Sequence, residues 1–480
     1  MEKDERRRRA ELRRLKRQRQ VLIGKIIIGV LVVVIAVLCY FVVKGNLGKT
    51  GNKNKQGSAA VTDKQSEQSE TSTETQTEPY DDTVDRADRL AAMYDYDGAI
   101  ALLQNSGKYA GNQEMVSKVA EYEATKATCV EYPLEEVTHV FYHTMIKDPG
   151  KAFSASLPQA VVNGNNQYMT TIDEYNKITQ AMYEKGYVLV NLSDMATFDG
   201  NGTLVKGKIM LPPGKIPFVL SQDDVSYYHS YDNQGYAARL IIDQNGEVKN
   251  EYLEDDGTIS IGDFDMVPLL DTFVKEHPDF SYHGAKGTLA LTGYNGVLGY
   301  RTDIAYTAEG IERRDPNQQE WLDKHPDFDF EEEVANAKKV AEAMKANGWK
   351  FASHTWGHMQ ATEEDTEKWV TRVKPIIGET NIMIYPNGGG SDIGGVEPYT
   401  DGNTNGRLSY MRSKGFQIFC GVDANKYWVQ FGDTFMRQGR RNLDGYRMYY
   451  HTVNGIELLE DLFDVNSVFD PARPTPVAEL

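Results

Sequence analysis

The sequence predicts an α/β fold, a barrel of parallel strands, preceded by a transmembrane helix and a small helical region. Three observations carry this reading. From about Leu134 onward, strand-like runs alternate with amphipathic helical runs, the pattern of parallel strands joined by helical crossovers. Three of those runs end in carboxylates, histidines or glycines, at the strand ends where α/β barrels place their chemistry. Ahead of them, residues 1–43 hold 11 Lys and Arg against 4 Asp and Glu and close on an unbroken apolar run of 18 residues.

The elements follow in order. Residues 1–20, MEKDERRRRAELRRLKRQRQ, form a basic cytoplasmic tail. Residues 21–43 read as an uncleaved signal anchor: Ile26 to Val43 is long enough to span a bilayer, and the KGNLGKTGNK that follows offers no small-x-small cleavage site. The positive-inside rule then puts the N-terminus in the cytoplasm and the rest of the chain outside, a single-pass protein of the cell membrane. Residues 44–80 are nearly free of apolar side chains and predict a disordered linker. Residues 81–130 read as a helical hairpin, with YDYDGAIALL resembling one tetratricopeptide-type unit, a cap on the next domain or a partner-binding module.

The domain from 135 to 473 carries the alternation. EVTHVFYHTMI, YVLVNLS, KIPFVLSQ, GTLALTG, WKFASH, NIMIYP and FQIFCGV are strand-like. TTIDEYNKITQAMYEKG and FEEEVANAKKVAEAMKANG are amphipathic helices with start and stop signals. Between Asp224 and Trp349, YAARLIIDQNGEVKNEYLEDDGTIS predicts a β-hairpin forming a lid or rim. The net charge of −18 lies on this bulk rather than on the basic tail, which excludes a nucleic-acid footprint. Three cysteines, one of them Cys39 in the apolar run, exclude a disulfide scaffold; whether Cys129 and Cys420 pair is open.

The strand ends hold the candidate chemistry. PFVLSQDDV ends in Asp223 and Asp224, which fit an exposed turn, a helix cap, a calcium-type loop, or a metal ligand beside a proton acceptor. His354-Thr-Trp-Gly-His358 follows the next strand, and Tyr385-Pro-Asn-Gly-Gly-Gly390 follows a third. One carboxylate and two imidazoles make a three-ligand site for Zn²⁺ or a similar divalent ion, the histidines converging if they sit on a helical turn. Adjacent residues at a strand end point to different sides, so Asp224 can ligate while Asp223 stays free as a base.

This constellation resembles the polysaccharide deacetylases, the NodB-like carbohydrate esterase family four. Ser221-Gln222-Asp223-Asp224 resembles its Thr/Ser-Phe-Asp-Asp motif, with Gln in place of the aromatic. His354 to His358 matches its His-Ser/Thr-x-x-His motif, and Ile384-Tyr385-Pro386-Asn387-Gly388 resembles its third loop, without the usual Arg. Phe141-Tyr142-His143 is similar to the first-strand Tyr-His of extracellular poly-GlcNAc deacetylases. The resemblance implies an irregular (β/α) barrel with Asp223 as general base and Asp224, His354 and His358 holding the metal, Zn²⁺ first, with Co²⁺ or Mn²⁺ as alternatives. It implies an oxyanion contact from the backbone N–H of Asn387 and an arginine orienting the base, Arg440 or Arg441, with Arg441 taken as the candidate. The Leu-x-His that supplies the acid in the family is not evident, and His451 is the nearest candidate. The implied function is N-deacetylation of an extracellular GlcNAc-containing polysaccharide, peptidoglycan or poly-GlcNAc. A non-catalytic glycan binder and an O-acetyl esterase are the alternatives.

Overall fold

The computed structural model describes residues 82–480. The tail, apolar span and linker expected upstream lie outside the described residues, and among the described ones no helix is long and apolar enough to cross a membrane. The described residues open with three helices, α1 (Thr83–Ala92), α2 (Tyr96–Gln104) and α3 (Gln113–Lys126). Side-chain oxygens start two of them: Asp95 accepts from Gly98 N, and Asn112 from Glu114 N and Met115 N.

Seven parallel strands then close on themselves. They are β1 (Thr138–Tyr142), β2 (Ile216–Asp223), β3 (Thr288–Leu291), β4 (Lys350–Ser353), β5 (Ile382–Ile384), β6 (Ile418–Val422) and β7 (Met436–Asn442). Each pairs with the next, and Arg441 opposite Val140 closes β7 onto β1. The fold is therefore a mixed α/β barrel. One edge of β2 is shared: its first half pairs with the short strand Tyr187–Leu189 and its second half with β3. Because β3 spans four residues, the first half of that edge would otherwise hold unpaired peptide groups.

Outer helices seal the barrel with the residues their periodicity marks. In α4 (Ile172–Glu184) a capping box between Thr171 and Glu174 sets the start, and Tyr175, Ile178 and Met182 are buried. In α5 (Phe330–Ala346) Asp329 caps the first turn, and Ala337, Val340, Ala341 and Met344 face inward. Below the barrel, α1–α3 share one apolar cluster with Val219, Ala290, Ala352, Ile384, Cys420 and Met436. The hairpin sits at the start of β3: His283 N donates to Met93 O at 2.8 Å and Tyr94 Oη to Asp279 O at 2.7 Å. Cys129 and Cys420 are both free thiols.

Two segments differ from the sequence expectation. The segment expected as a hairpin forms Arg239–Ile242 and Val248–Leu253, but Ile259–Gly262 adds a third antiparallel strand. Strand β7, MRQGRRN, was not expected, since it carries one apolar side chain in seven residues. It is nonetheless central, paired on both edges by β6 and β1, and its arginines are neutralised by the buried Asp392 and Asp223 and the half-buried Asp461.

Candidate metal centre

Strand alternation builds the first half of the site. Along β2, Val219 belongs to the interior cluster and Leu220 to the outer one, so Ser221 and Asp223 continue the inward face. Asp224 then breaks the strand with φ +63°, a left-handed backbone that few residues besides glycine adopt cheaply. Both carboxylates approach His354 Nε2, at 3.8 Å for Asp223 and 4.0 Å for Asp224, but their hydrogen-bond partners differ: Tyr228 Oη donates to Asp224 Oδ1 at 2.7 Å.

Asp223 is clamped. Arg440 Nη1 and Nη2 donate to its two oxygens at 2.7 and 2.9 Å, the fork geometry guanidinium and carboxylate share. The same guanidinium reaches Ser221 Oγ at 3.2 Å and Tyr385 O at 3.2 Å and lies over the Phe141 ring at 4.1 Å. Burial opposes ionisation of Asp223, but the charge and hydrogen bonds of Arg440 outweigh it, holding the carboxyl at about 2.

The second half comes from β4 and its loop. His354 Nδ1 lies 2.9 Å from Ile384 O. A carbonyl only accepts, so Nδ1 carries the hydrogen and Nε2 turns its lone pair toward the carboxylates. Burial pulls the His354 pKa down, with partial compensation from Asp223 and Asp224, which favours the neutral ring a metal needs. His358 Nε2 stands 3.4 Å from Asp224 Oδ2 and His354 Nε2 stands 4.0 Å from Asp224 Oδ1. Ligand atoms of Asp224, His354 and His358 all fall within 4.8 Å of one another, close enough for one ion. His354 is buried and His358 about one-third exposed, so the site opens to solvent on the His358 side.

The histidines converge on a turn rather than on a helix. Thr355 and His358 are both left-handed, at φ +59° and +52°. Asp365, near the start of α6 (Glu363–Arg372), accepts from Trp356 N at 2.6 Å and Gly357 N at 2.9 Å and pins the turn. Trp356 does not offer its face to a sugar: it packs against Gly293, where a Cβ would come within 2.1 Å of the indole, and Arg372 sits 5.4 Å from its ring centroid. Asn387, at φ +54°, reaches His358 O through Nδ2 at 3.5 Å. Its backbone N–H has no partner among the described residues.

Two assignments change. Arg441 does not reach Asp223. It points to the opposite side of β7, where Asp461 accepts from it at 2.8 and 3.0 Å, because neighbouring strand residues alternate faces. Arg440 is the arginine that holds Asp223. His451 also stands apart: its Nδ1 bonds Glu460 Oε1, and no hydrogen bond or ion pair joins it to the cluster. His143 is better placed. It follows the Tyr142–Gln222 pair, level with Asp223, and Tyr168 O holds Nδ1 at 2.9 Å.

Gln222, between Ser221 and Asp223 on β2, braces the site. Its Nε2 donates to Asp265 Oδ1 at 2.7 Å and to His143 O at 3.2 Å. Asp265 also accepts from Tyr227 Oη, Met145 N and Met266 N, a hub tying the β1 and β2 ends to the inserted segment. Nothing in the sequence marks Asp265, an acid in an apolar helix start. No family model, curated protein or solved structure matches this chain.

Proposed function

We propose that the chain is a metal-dependent N-deacetylase acting on an N-acetylated polysaccharide, with a barrel of the polysaccharide deacetylase type. The convergence of Asp224, His354 and His358 beside an ionised, arginine-clamped Asp223 is the observation that carries it. One carboxylate and two neutral imidazoles with one solvent-facing side suit Zn²⁺, with Co²⁺ or Mn²⁺ as alternatives. Such an ion supplies Lewis acidity toward a carbonyl and makes water more acidic.

The chain's own groups divide the remaining work. Asp223 is charged at neutral pH and accepts a proton, while the Arg440 fork fixes both its oxygens and so its direction. The free N–H of Asn387 donates to the acetyl oxygen as charge gathers there, a role that depends on backbone and not on side chain. His143 takes the acid role in place of His451, its Nδ1 tethered and its Nε2 left to deliver a proton to the departing amine. Burial of Asp224 and His354 restricts water to the His358 side.

The basic tail and apolar run support a membrane tether with the barrel outside the cell, where peptidoglycan or poly-GlcNAc is the substrate at hand. The test is acetate release from GlcNAc oligomers by the full chain loaded with Zn²⁺ or Co²⁺, against an Asp223→Asn control. Release above that control supports the assignment. A folded, metal-loaded protein that releases none from oligomers or from peptidoglycan is a glycan binder instead.

A further inference from the structure

Beside the candidate metal centre lies a cleft of about 400 Å³ that the proposed chemistry does not use. Its walls come from the inserted segment, and Tyr231 connects the two sites: its ring centroid lies 5.6 Å from that of Tyr228, whose hydroxyl binds Asp224. A ligand spanning both would have its reacting group at the cluster and its neighbouring unit in the cleft.

The charges of the cleft pair off with one exception. Four cationic and three anionic side chains line it, a surplus of one positive charge. Arg239 pairs with Glu251, Lys324 with Glu320, Lys151 with Asp255, and Asp232 with His229. Arg301 alone has no carboxylate within ion-pair distance among the described residues, although it is 5 % exposed. Its Nη1 donates to Tyr227 O at 2.9 Å, and no other hydrogen bond of its guanidinium is formed. Its guanidinium carbon lies 5.9 Å from the Trp321 ring centroid, and burial pulls the pKa of this cation down, partly offset by Tyr306, Asp232 and Glu333. A buried guanidinium left this way is costly unless something else completes it.

The geometry of what is left over names the partner. With Nη1 occupied, the Nε and Nη2 hydrogens remain, one edge of the planar fork and the edge that matches the two oxygens of a carboxylate. The lining also holds two apolar side chains: Leu253 and Ile259, register partners on neighbouring strands, are 48 % and 59 % exposed. We propose that this cleft is a subsite for a carboxylate-bearing sugar next to the N-acetylated one, with Arg301 taking the carboxylate and Leu253 and Ile259 covering the short alkyl group that carries it. The inference rests on the deacetylase reading for the neighbouring unit and narrows its substrate to an acidic glycan.

Calorimetric titration of the full, metal-loaded chain tests it, using the disaccharide of N-acetylglucosamine and N-acetylmuramic acid against neutral N,N′-diacetylchitobiose. The acidic disaccharide is expected to bind about tenfold more tightly, the scale of one charge-assisted contact. Arg301→Gln is expected to bring it down to the neutral one. Since Arg301 is buried and its loss can impair folding, Ile259→Glu on the exposed wall is the second variant. It sets a carboxylate against the ligand's and should weaken the acidic disaccharide selectively, by about tenfold. Equal affinities for the two disaccharides overturn the subsite, as does a preference that survives in folded Arg301→Gln. Acetate release separates this from the reading it rests on. Deacetylation of neutral oligomers without acidic preference overturns the subsite alone, whereas acidic preference without acetate release from any glycan overturns the deacetylase alone.

Discussion

The two ends of the barrel are built on opposite principles. At the end where the strands start, α1–α3 lay Ala87, Ala99, Leu103, Met115 and Val119 against Val188, Ile209 and Tyr282 in one continuous apolar cluster. At the end where the strands finish, the interior turns polar, with His139, Ser221, Arg440 and Asp223 in contact. Several residues other than glycine past the strand ends, among them Asp224, Tyr227, Thr355, His358, Asn387 and Ala424, hold left-handed backbones. Such strain persists only where the surroundings over-determine it, and here the closed apolar end supplies the surplus. Stability and chemistry are separated along one axis.

The sharpest way to break that separation is to cut at each end and read both properties. Asp223→Asn keeps the shape and removes the charge that takes the proton, so kcat for acetate release should fall by about 10²–10⁴. A variant with near wild-type rate would remove Asp223 from the chemistry. At the other end, Leu103→Ala empties a fully buried position in α2 and should cost about 2–5 kcal/mol by denaturant unfolding. Its rate per folded molecule should stay at the wild-type value. A rate that fell in step with stability would show the two ends coupled, and the comparison would fail.

How much of this was legible in the sequence follows from the same division. The ligand set was readable because Asp223-Asp224 and His354-x-x-x-His358 are short, and their spacing survives whether they fall on a turn or on a helix. Six barrel strands were readable because buried parallel strands are runs of apolar residues. Strand β7 was not, and neither was the choice between its arginines. In MRQGRRN both faces are polar, so alternation leaves no contrast, and only the pairing with β6 and β1 assigns Arg440 inward and Arg441 outward. Asp265 was hidden for another reason: its role depends on what lies level with it across strands, which no local pattern records.

That arginine pair gives a smaller test on the outer side of the barrel wall. Burial works against ionisation of Asp461, but hydrogen bonds and charge from Arg441, together with Lys426, outweigh it and lower its pKa. A carboxyl depressed in the folded state stabilises fully above its unfolded value of about 3.9, and the contribution fades as pH falls through the folded value. The wild type should therefore exceed Asp461→Asn by about 1–3 kcal/mol near neutrality. The gap should hold down to about pH 5 and close on further acidification. Acetate release should be unaffected, because Arg441 faces away from Asp223. A gap that widened in acid would reverse the sign of the linkage and show that the pair is not what Asp461→Asn disturbs.

The least perturbing variant probes the most specific claim about the rim. Asn387 is proposed to act through its backbone N–H, and its side chain makes one long contact, to His358 O at 3.5 Å. At φ +54° asparagine tolerates the left-handed region and glycine tolerates it better. Asn387→Gly trades a small relief of strain for a more flexible unfolded chain, so stability should shift by less than about 1 kcal/mol in either direction. The N–H survives the exchange, and kcat should stay within about threefold of wild type, far from the loss of about 10²–10³ that follows removal of an oxyanion donor. A loss of that size in a stable Asn387→Gly protein would transfer the role from the backbone to the carboxamide. It would also mean that the link from Asn387 to the His358 carbonyl, and not the loop alone, sets the geometry of the candidate metal centre.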